Sequence, residues 1–229
     1  MSQLQTPIKT VETDTWISAT WEEFIQLSQE PDYAHTKGYY FNGQMRFESM
    51  VALGNPHSRD HAIVISAIFL LAGFADLDVD MHDNCTYRKT GYQEVQPDAS
   101  FYIGENAEVV PWDATIIDLD CYPPPDLAIE VAYSSLADDK GEKRLLYEAL
   151  GVREYWIVDV QNVQIIAFAI ANQGSYKIAQ SQVLPGLEIA VLEEALRKSR
   201  TMNHGKVSVW LLQQFGTSAV TNGDHGQQA

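Results

Sequence analysis

The pattern of apolar and polar positions is most informative between Pro125 and Asp159, PDLAIEVAYSSLADDKGEKRLLYEALGVREYWIVD. Leu127 to Ala132 is a short apolar run behind a Pro-rich turn, the form of a buried strand. Side chains alternate along a strand, so Leu127, Ile129 and Val131 share one face and Ala128, Glu130 and Ala132 the other. Glu130 interrupts the run between two alanines, and a carboxylate buried there requires a cation, a hydrogen-bond donor or solvent beside it. A helix over 138–150 follows, with Leu145, Leu146, Ala149 and Leu150 as its apolar stripe and Gly151 as its stop. Ser135 with Asp138 fits a capping box, and Asp138 and Asp139 suit the first turn. Lys143 and Tyr147 lie four apart on one side of this helix. Glu154 to Asp159 (EYWIVD) then reads as a second core strand beside the first.

The same reading extends along the chain. Thr20 caps a short helix with an acidic first turn, TWEEFIQLSQE. Tyr39 to Met50, YYFNGQMRFESM, is a strand, an Asn-Gly turn and a strand. Residues 54–61, GNPHSRDH, lead into a buried helix over 62–75, an apolar run shorter than the ~20 residues that span a bilayer. Cys85 to Tyr87 is a candidate strand, and 91–97 a loop or second arm. Residues 97–104 form a core strand that begins at Asp98, and 105–120 an irregular acidic connection. A hairpin is expected from 163–171 and 176–178 around Gln173-Gly174, then short helices at 193–199 and 207–215. Residues 1–18 read as a flexible lead-in and 216–229 as a disordered tail, leaving one domain over 19–215.

Composition narrows the function classes. A 45% hydrophobic content supports a substantial core, while a formal charge of −16 opposes broad attraction to nucleic acid or anionic membrane. Cys85 and Cys121 fit neither a metal spacing nor a disulfide framework, so they read as reduced thiols of a cytoplasmic protein. The N-terminal stretch lacks an apolar signal core.

Candidate chemistry gathers at two Pro-Asp pairs, Pro97-Asp98 and Pro125-Asp126, each opening a strand. If those strands are neighbours and the helix packs across them, Asp98, Glu130 and Lys143 converge. Two carboxylates offer hard oxygen ligands suited to Mg²⁺ or Mn²⁺, and a lysine beside them can stabilise negative charge. That is equipment for metal-assisted phosphodiester hydrolysis. Each residue also has a plainer reading: Asp98 as a strand start, Asp126 as a turn cap after three prolines, Lys143 as an exposed helix lysine, Tyr147 as helix packing. His57 and His61 stand four apart, but Ser58 replaces the Glu of a zinc-protease motif. Arg88, Lys89 and Tyr92 are either a phosphate contact or a hairpin tip.

Taken together, Pro97-Asp98, PDLAIEV at 125–131, Lys143 with Tyr147, and GVREYWIVD at 151–159 resemble the Uma2 family, widespread in cyanobacteria and placed in the PD-(D/E)xK nuclease superfamily. The resemblance runs from roughly Gly43 to Pro185. It implies an α/β (α+β) restriction-endonuclease-like fold, a mixed central sheet flanked by helices with N- and C-terminal hairpins. It further implies a Mg²⁺-dependent (or Mn²⁺-dependent) endonuclease acting on DNA, with metal on Asp98 and Glu130 and a homodimeric assembly. The superfamily lysine normally stands two residues after the Glu, where this chain has Ala132, so the resemblance moves that role to Lys143 on the following helix. Asp126, Tyr147, His61 and Gln93 are supporting or substrate-contacting candidates. Glu48 is the nearest substitute for a Glu that relatives carry before the hairpin Gly, a region held here by Tyr39 and Tyr40. The alternative is a non-catalytic nucleic-acid-binding or regulatory protein on the same fold. A carboxylate-pair glycosidase lacks an evident partner for Glu130.

Overall fold

The computed structural model describes residues 11–49, 54–172 and 174–223. Met50, Gln173 and the outer parts of both expected tails (1–10 and 224–229) lie outside the described residues. The strands are β1 (Ile17–Ser18), β2 (Thr36–Phe41), β3 (Gln44–Ser49), β4 (Val79–Asp83), β5 (Tyr87–Lys89), β6 (Gln93–Val95), β7 (Ala99–Ile103), β8 (Ile117–Asp118), β9 (Leu127–Ala132), β10 (Glu154–Asp159), β11 (Gln164–Ala171) and β12 (Gly174–Lys177). The helices are α1 (Trp21–Ser28), α2 (Asn55–Ala75), α3 (Leu136–Lys140), α4 (Glu142–Leu150), α5 (Ile189–Ser199) and α6 (His204–Gly223).

The expected mixed α+β architecture is present, with two mixed six-stranded sheets flanked by helices. The first has the order β12-β11-β10-β9-β7-β4, with β9 and β10 parallel and the other pairs antiparallel. The second has the order β1-β3-β2-β6-β5-β8 and is built on the Asn42-Gly43 hairpin. Both turn residues have positive φ, 50° and 72°, the conformation Asn-Gly favours.

The alternation in β9 separates two cores. Leu127, Ile129 and Val131 join Trp156 and Val158 of β10 under α2, α5 and α6. Ala128 and Ala132 join Tyr155, Ile157 and Tyr147 against Tyr39, Tyr87, Val95 and Ile117 of the second sheet. Outside that sheet, α1 packs through Phe24 and Leu27 on Tyr40, Met45 and Phe47.

Several expectations change. The single helix over 138–150 is two, α3 and α4, broken at Gly141. No capping box forms there; the Ser135 hydroxyl donates to the Asp139 carboxylate at 2.6 Å. The apolar run at 62–75 belongs to a 21-residue helix, long enough by length to cross a membrane, but its Ile63, Val64, Ala67, Ile68 and Leu71 pack into the protein core. Residues 11–18 are anchored rather than loose: Val11 N donates to the Tyr33 hydroxyl and Asp14 N to Phe47 O. The C-terminal helix continues to Gly223, past the polar turn in composition at Gly216.

Asp126 clamps the entry to β9. Its carboxylate accepts from Ile103 N at 2.9 Å, from Asn106 Nδ2 at 3.1 Å and from Arg153 at 3.2 Å. Its carbonyl accepts from Glu154 N, so one residue ties the ends of β7, β9 and β10. Asp126→Ala leaves the buried Ile103 N–H without a partner and should cost about 2 kcal/mol, a fall in Tm of roughly 4–8 °C. An unchanged melting curve would remove the clamp.

Candidate functional site

Register brings the candidate residues to one place. Ala99 pairs with Ile129, so Asp98 stands beside Glu130 at the start of β7. Asp98 Oδ2 accepts from Val131 N at 2.7 Å, locking the carboxylate onto the neighbouring strand. Across the gap, β2 and β3 pair Lys37 with Glu48 and Tyr39 with Arg46. Alternation turns all four toward the Glu130 face, while Tyr40, Met45 and Phe47 turn toward α1. The two sheets therefore meet through charged side chains at this end.

Lys37 Nζ lies 2.5 Å from Asp98 Oδ1, and His57 Nε2 lies 3.6 Å from Oδ2. His61 Nε2 is 3.2 Å from the Asp98 carbonyl and 3.7 Å from Asp83. Glu130 Oε1 accepts from the Tyr147 hydroxyl at 2.8 Å and from Tyr39 at 3.4 Å. Lys143 Nζ sits 2.6 Å from Glu48, 3.1 Å from Asp139 and 3.8 Å from Glu130, above the Tyr39 ring at 4.5 Å. Arg46, also buried, reaches Asp138 at 3.3 Å, and Asp138 accepts from the Trp16 indole at 2.6 Å.

These surroundings fix the charges. Burial alone would raise the Asp98 pKa, but the Lys37 ammonium, His57 and the Val131 N–H outweigh it and hold the carboxyl well below its usual range. Glu130 goes the other way: burial pushes it up to about 8, against the pull of Lys143 and with the push of Asp98. Burial also raises Asp139. Burial opposes the charge on Lys143, but Glu130, Asp139 and Glu48 together keep it protonated, well above the ordinary lysine value.

The structure unites Asp98, Glu130, Lys143, Tyr147, Glu48 and His61. It does not bring in Asp126, which stands at the other end of β9, or Gln93, which pairs with Phe41 beside a shallow cavity of about 380 Å³. Arg88 of the basic cluster is paired with Glu94, and Lys89 lies against Tyr92. Lys143 departs most from its expected setting: it is 0% exposed rather than a surface lysine. Lys37, Arg46 and Asp139 were not singled out. The signal for the first two was the alternation of β2 and β3, whose polar positions face the other sheet instead of water.

A metal can be tested against these donors. Among the described residues, every hydrogen bond and ion pair of Glu130 uses Oε1, leaving Oε2 open. Asp98 Oδ1 already carries a cation, the Lys37 ammonium. No three His, Cys, Asp or Glu side chains among the described residues form a ready-made metal cluster. Two carboxylates, with water and phosphate completing the shell, are the set that Mg²⁺ accepts.

Residues 21–205 match the model of the Uma2 family, described as "Putative restriction endonuclease". Among solved structures, the chain is similar to a crystal structure of a putative nuclease belonging to DUF820 from Anabaena variabilis, at 18% identity and a TM-score of 0.50, covering 84% of this chain and 99% of that one. At that identity the likeness is one of fold. No curated protein matches the chain.

Lys143→Met leaves Glu48, Glu130 and Asp139 together without their ammonium and should destabilise the protein by about 3–5 kcal/mol near pH 8. The Glu130 carboxyl is raised from 4.5 to about 8, so its stabilising protonation is present below its unfolded pKa and lost as pH rises through 8. Without Lys143 the loss on ionisation is larger. Urea unfolding of the metal-free protein should therefore show a deficit that shrinks toward pH 5, and a deficit independent of pH would contradict this charge balance.

Proposed function

Because the chain belongs to the Uma2 family of restriction-endonuclease-like proteins, we propose that it is a Mg²⁺-dependent endonuclease hydrolysing DNA phosphodiester bonds. The observation that carries this reading is the Asp98–Glu130 pair, set side by side on neighbouring strands with a lysine on either flank. Mg²⁺ or Mn²⁺ would be held by Asp98 and the open Oε2 of Glu130, and a bound ion supplies polarisation of water and of the phosphoryl oxygens.

The chain's own residues do the rest. The Tyr147 hydroxyl holds one oxygen of Glu130 at 2.8 Å and, among the described residues, the other oxygen is left without a hydrogen bond. Val131 N–H and His57 orient Asp98. Lys143, the lysine that follows the catalytic strand, has three carboxylates around it and acts by holding Glu130 and Glu48 in place. Lys37 has a single carboxylate partner, and its ammonium can turn from Asp98 Oδ1 to a phosphoryl oxygen as charge develops there. Asp98 is 8% exposed and Lys37 5%, against 0% for Lys143, so this pair, though buried, lies nearer solvent than Lys143 does.

The formal charge of −16 favours the alternative, a non-catalytic nucleic-acid-binding or regulatory protein. Plasmid nicking separates the two. Wild type should cut in Mg²⁺ and stop on chelation. Asp98→Asn, Glu130→Gln and Lys37→Ala should each slow cleavage by about 10² or more, equivalent to about 2.7 kcal/mol of transition-state stabilisation. Equal rates in wild type and Asp98→Asn would leave the non-catalytic reading.

Cutting both strands requires two such sites, which a homodimer supplies. Light scattering at micromolar concentration should give twice the 25.7 kDa chain mass, and a monomer would restrict the enzyme to single-strand cuts.

A further inference from the structure

A broad cavity lies beside the carboxylate pair rather than over it. It is a groove of about 840 Å³ between the N-terminal turn of α2, the end of β10 and the turn joining α5 to α6. Arg59, Arg200, Tyr133, Asn55, Gln161 and Asn203 are among its lining residues, and none of its lining side chains is acidic. In a chain with 31 acidic residues that is an unusual wall.

Arg59 is the central observation. Arg46, Arg88, Arg144, Arg153, Arg197 and Arg200 each have a carboxylate partner. Among the described residues Arg59 has none. Its Nη2 instead donates to two main-chain carbonyls, Ser199 O at 2.8 Å and Met202 O at 3.2 Å. Those bonds fix the guanidinium plane but, among the described residues, leave its charge without a carboxylate and its other N–H groups unengaged. A positioned guanidinium with a free edge is a phosphate receptor, because it offers parallel N–H donors to two oxygens. Arg200 adds partial charge on the same wall, though Asp60 holds it bidentately. The uncapped N-terminus of α2 points the positive end of a 21-residue helix into the groove. Tyr133 is 53% exposed there, a ring available for a base to stack on.

The groove adjoins the proposed catalytic centre at the first turn of α2. Pro56 lines it, and the next residue, His57, touches Asp98. Tyr133 follows directly on Ala132, the last residue of the strand that carries Glu130.

We propose that this groove binds the DNA backbone flanking the cut, with Arg59 on a phosphate and Tyr133 against a base. The proposal rests on the nuclease reading for its choice of DNA. It also accounts for how so acidic a chain holds an anionic polymer: charges beyond a Debye length of ~8 Å are largely screened, so the local wall decides.

The test is fluorescence anisotropy with a labelled DNA duplex in Ca²⁺, at several salt concentrations. Arg59→Gln should raise Kd about tenfold and reduce the slope of log K against log salt by about one. Asn55→Asp adds a negative charge at the first turn of α2, where it favours the helix but repels phosphate, so binding should weaken while Tm holds or rises. Lys177→Gln removes the same charge as Arg59→Gln from an exposed position on β12 and should match wild type. Binding by Arg59→Gln and Asn55→Asp equal to wild type overturns the groove, as does an equal loss in Lys177→Gln. If plasmid is not cut but binding depends on Arg59, hydrolysis fails and the groove stands. If cutting requires Asp98 and Glu130 while Arg59 is dispensable for binding, the groove alone falls.

Discussion

The structure depends on a desolvated charge balance between its two sheets. Glu48, Glu130 and Asp139 come from three distant segments and surround one ammonium, Lys143. Each carboxylate would be costly in that position alone, and Lys143 would be equally costly without them. The hairpin, the central strand and the helix after it are thus committed to one arrangement by electrostatics as well as by apolar packing. Apolar surface alone would tolerate the second sheet in more than one placement over the first. The hydroxyls of Tyr39 and Tyr147, both on Glu130, add direction to what charge only attracts.

Two lysines stand at the carboxylates, and they differ in how tightly they are held. Lys143 is enclosed by partners and has no free path toward solvent. Lys37, on β2, is held by Asp98 alone. A lysine placed two residues after Glu130 would lie at Ala132, packed against Leu146, Tyr147 and Tyr155 in the same apolar cluster, where an ammonium lacks room. Moving positive charge to the opposing sheet and to the helix leaves that part of the core apolar.

Much of this was legible in the sequence. The run LAIEVA gave β9 and its two faces, EYWIVD its parallel neighbour, and Asn42-Gly43 the hairpin turn. Asp98, Glu130 and Lys143 were identified as a converging set, and they converge. Three things were not legible. The alternation MRFES reads as a half-exposed strand, because one polar face normally means water; here that face is covered by another sheet, and Arg46 is a buried charge with Glu48 half-buried beside it. Lys37 carried no local signal, since its partner is 61 residues away. The break at Gly141 was hidden by good helix formers on both sides.

The hairpin turn has a consequence beyond joining two strands. Strand side chains repeat every two residues, so a single inserted residue in one arm would exchange the inner and outer faces of that arm. An insertion beside Asn42 that shifted β2 would send Lys37 and Tyr39 toward α1 and bring Gly38 and Tyr40 to face Glu130. One shifting β3 would instead turn Arg46 and Glu48 outward. A two-residue connection at the rim of the protein therefore acts as the ruler of the carboxylate and lysine cluster, and length variation there is a more direct route to dismantling it than substitution of any one residue within it.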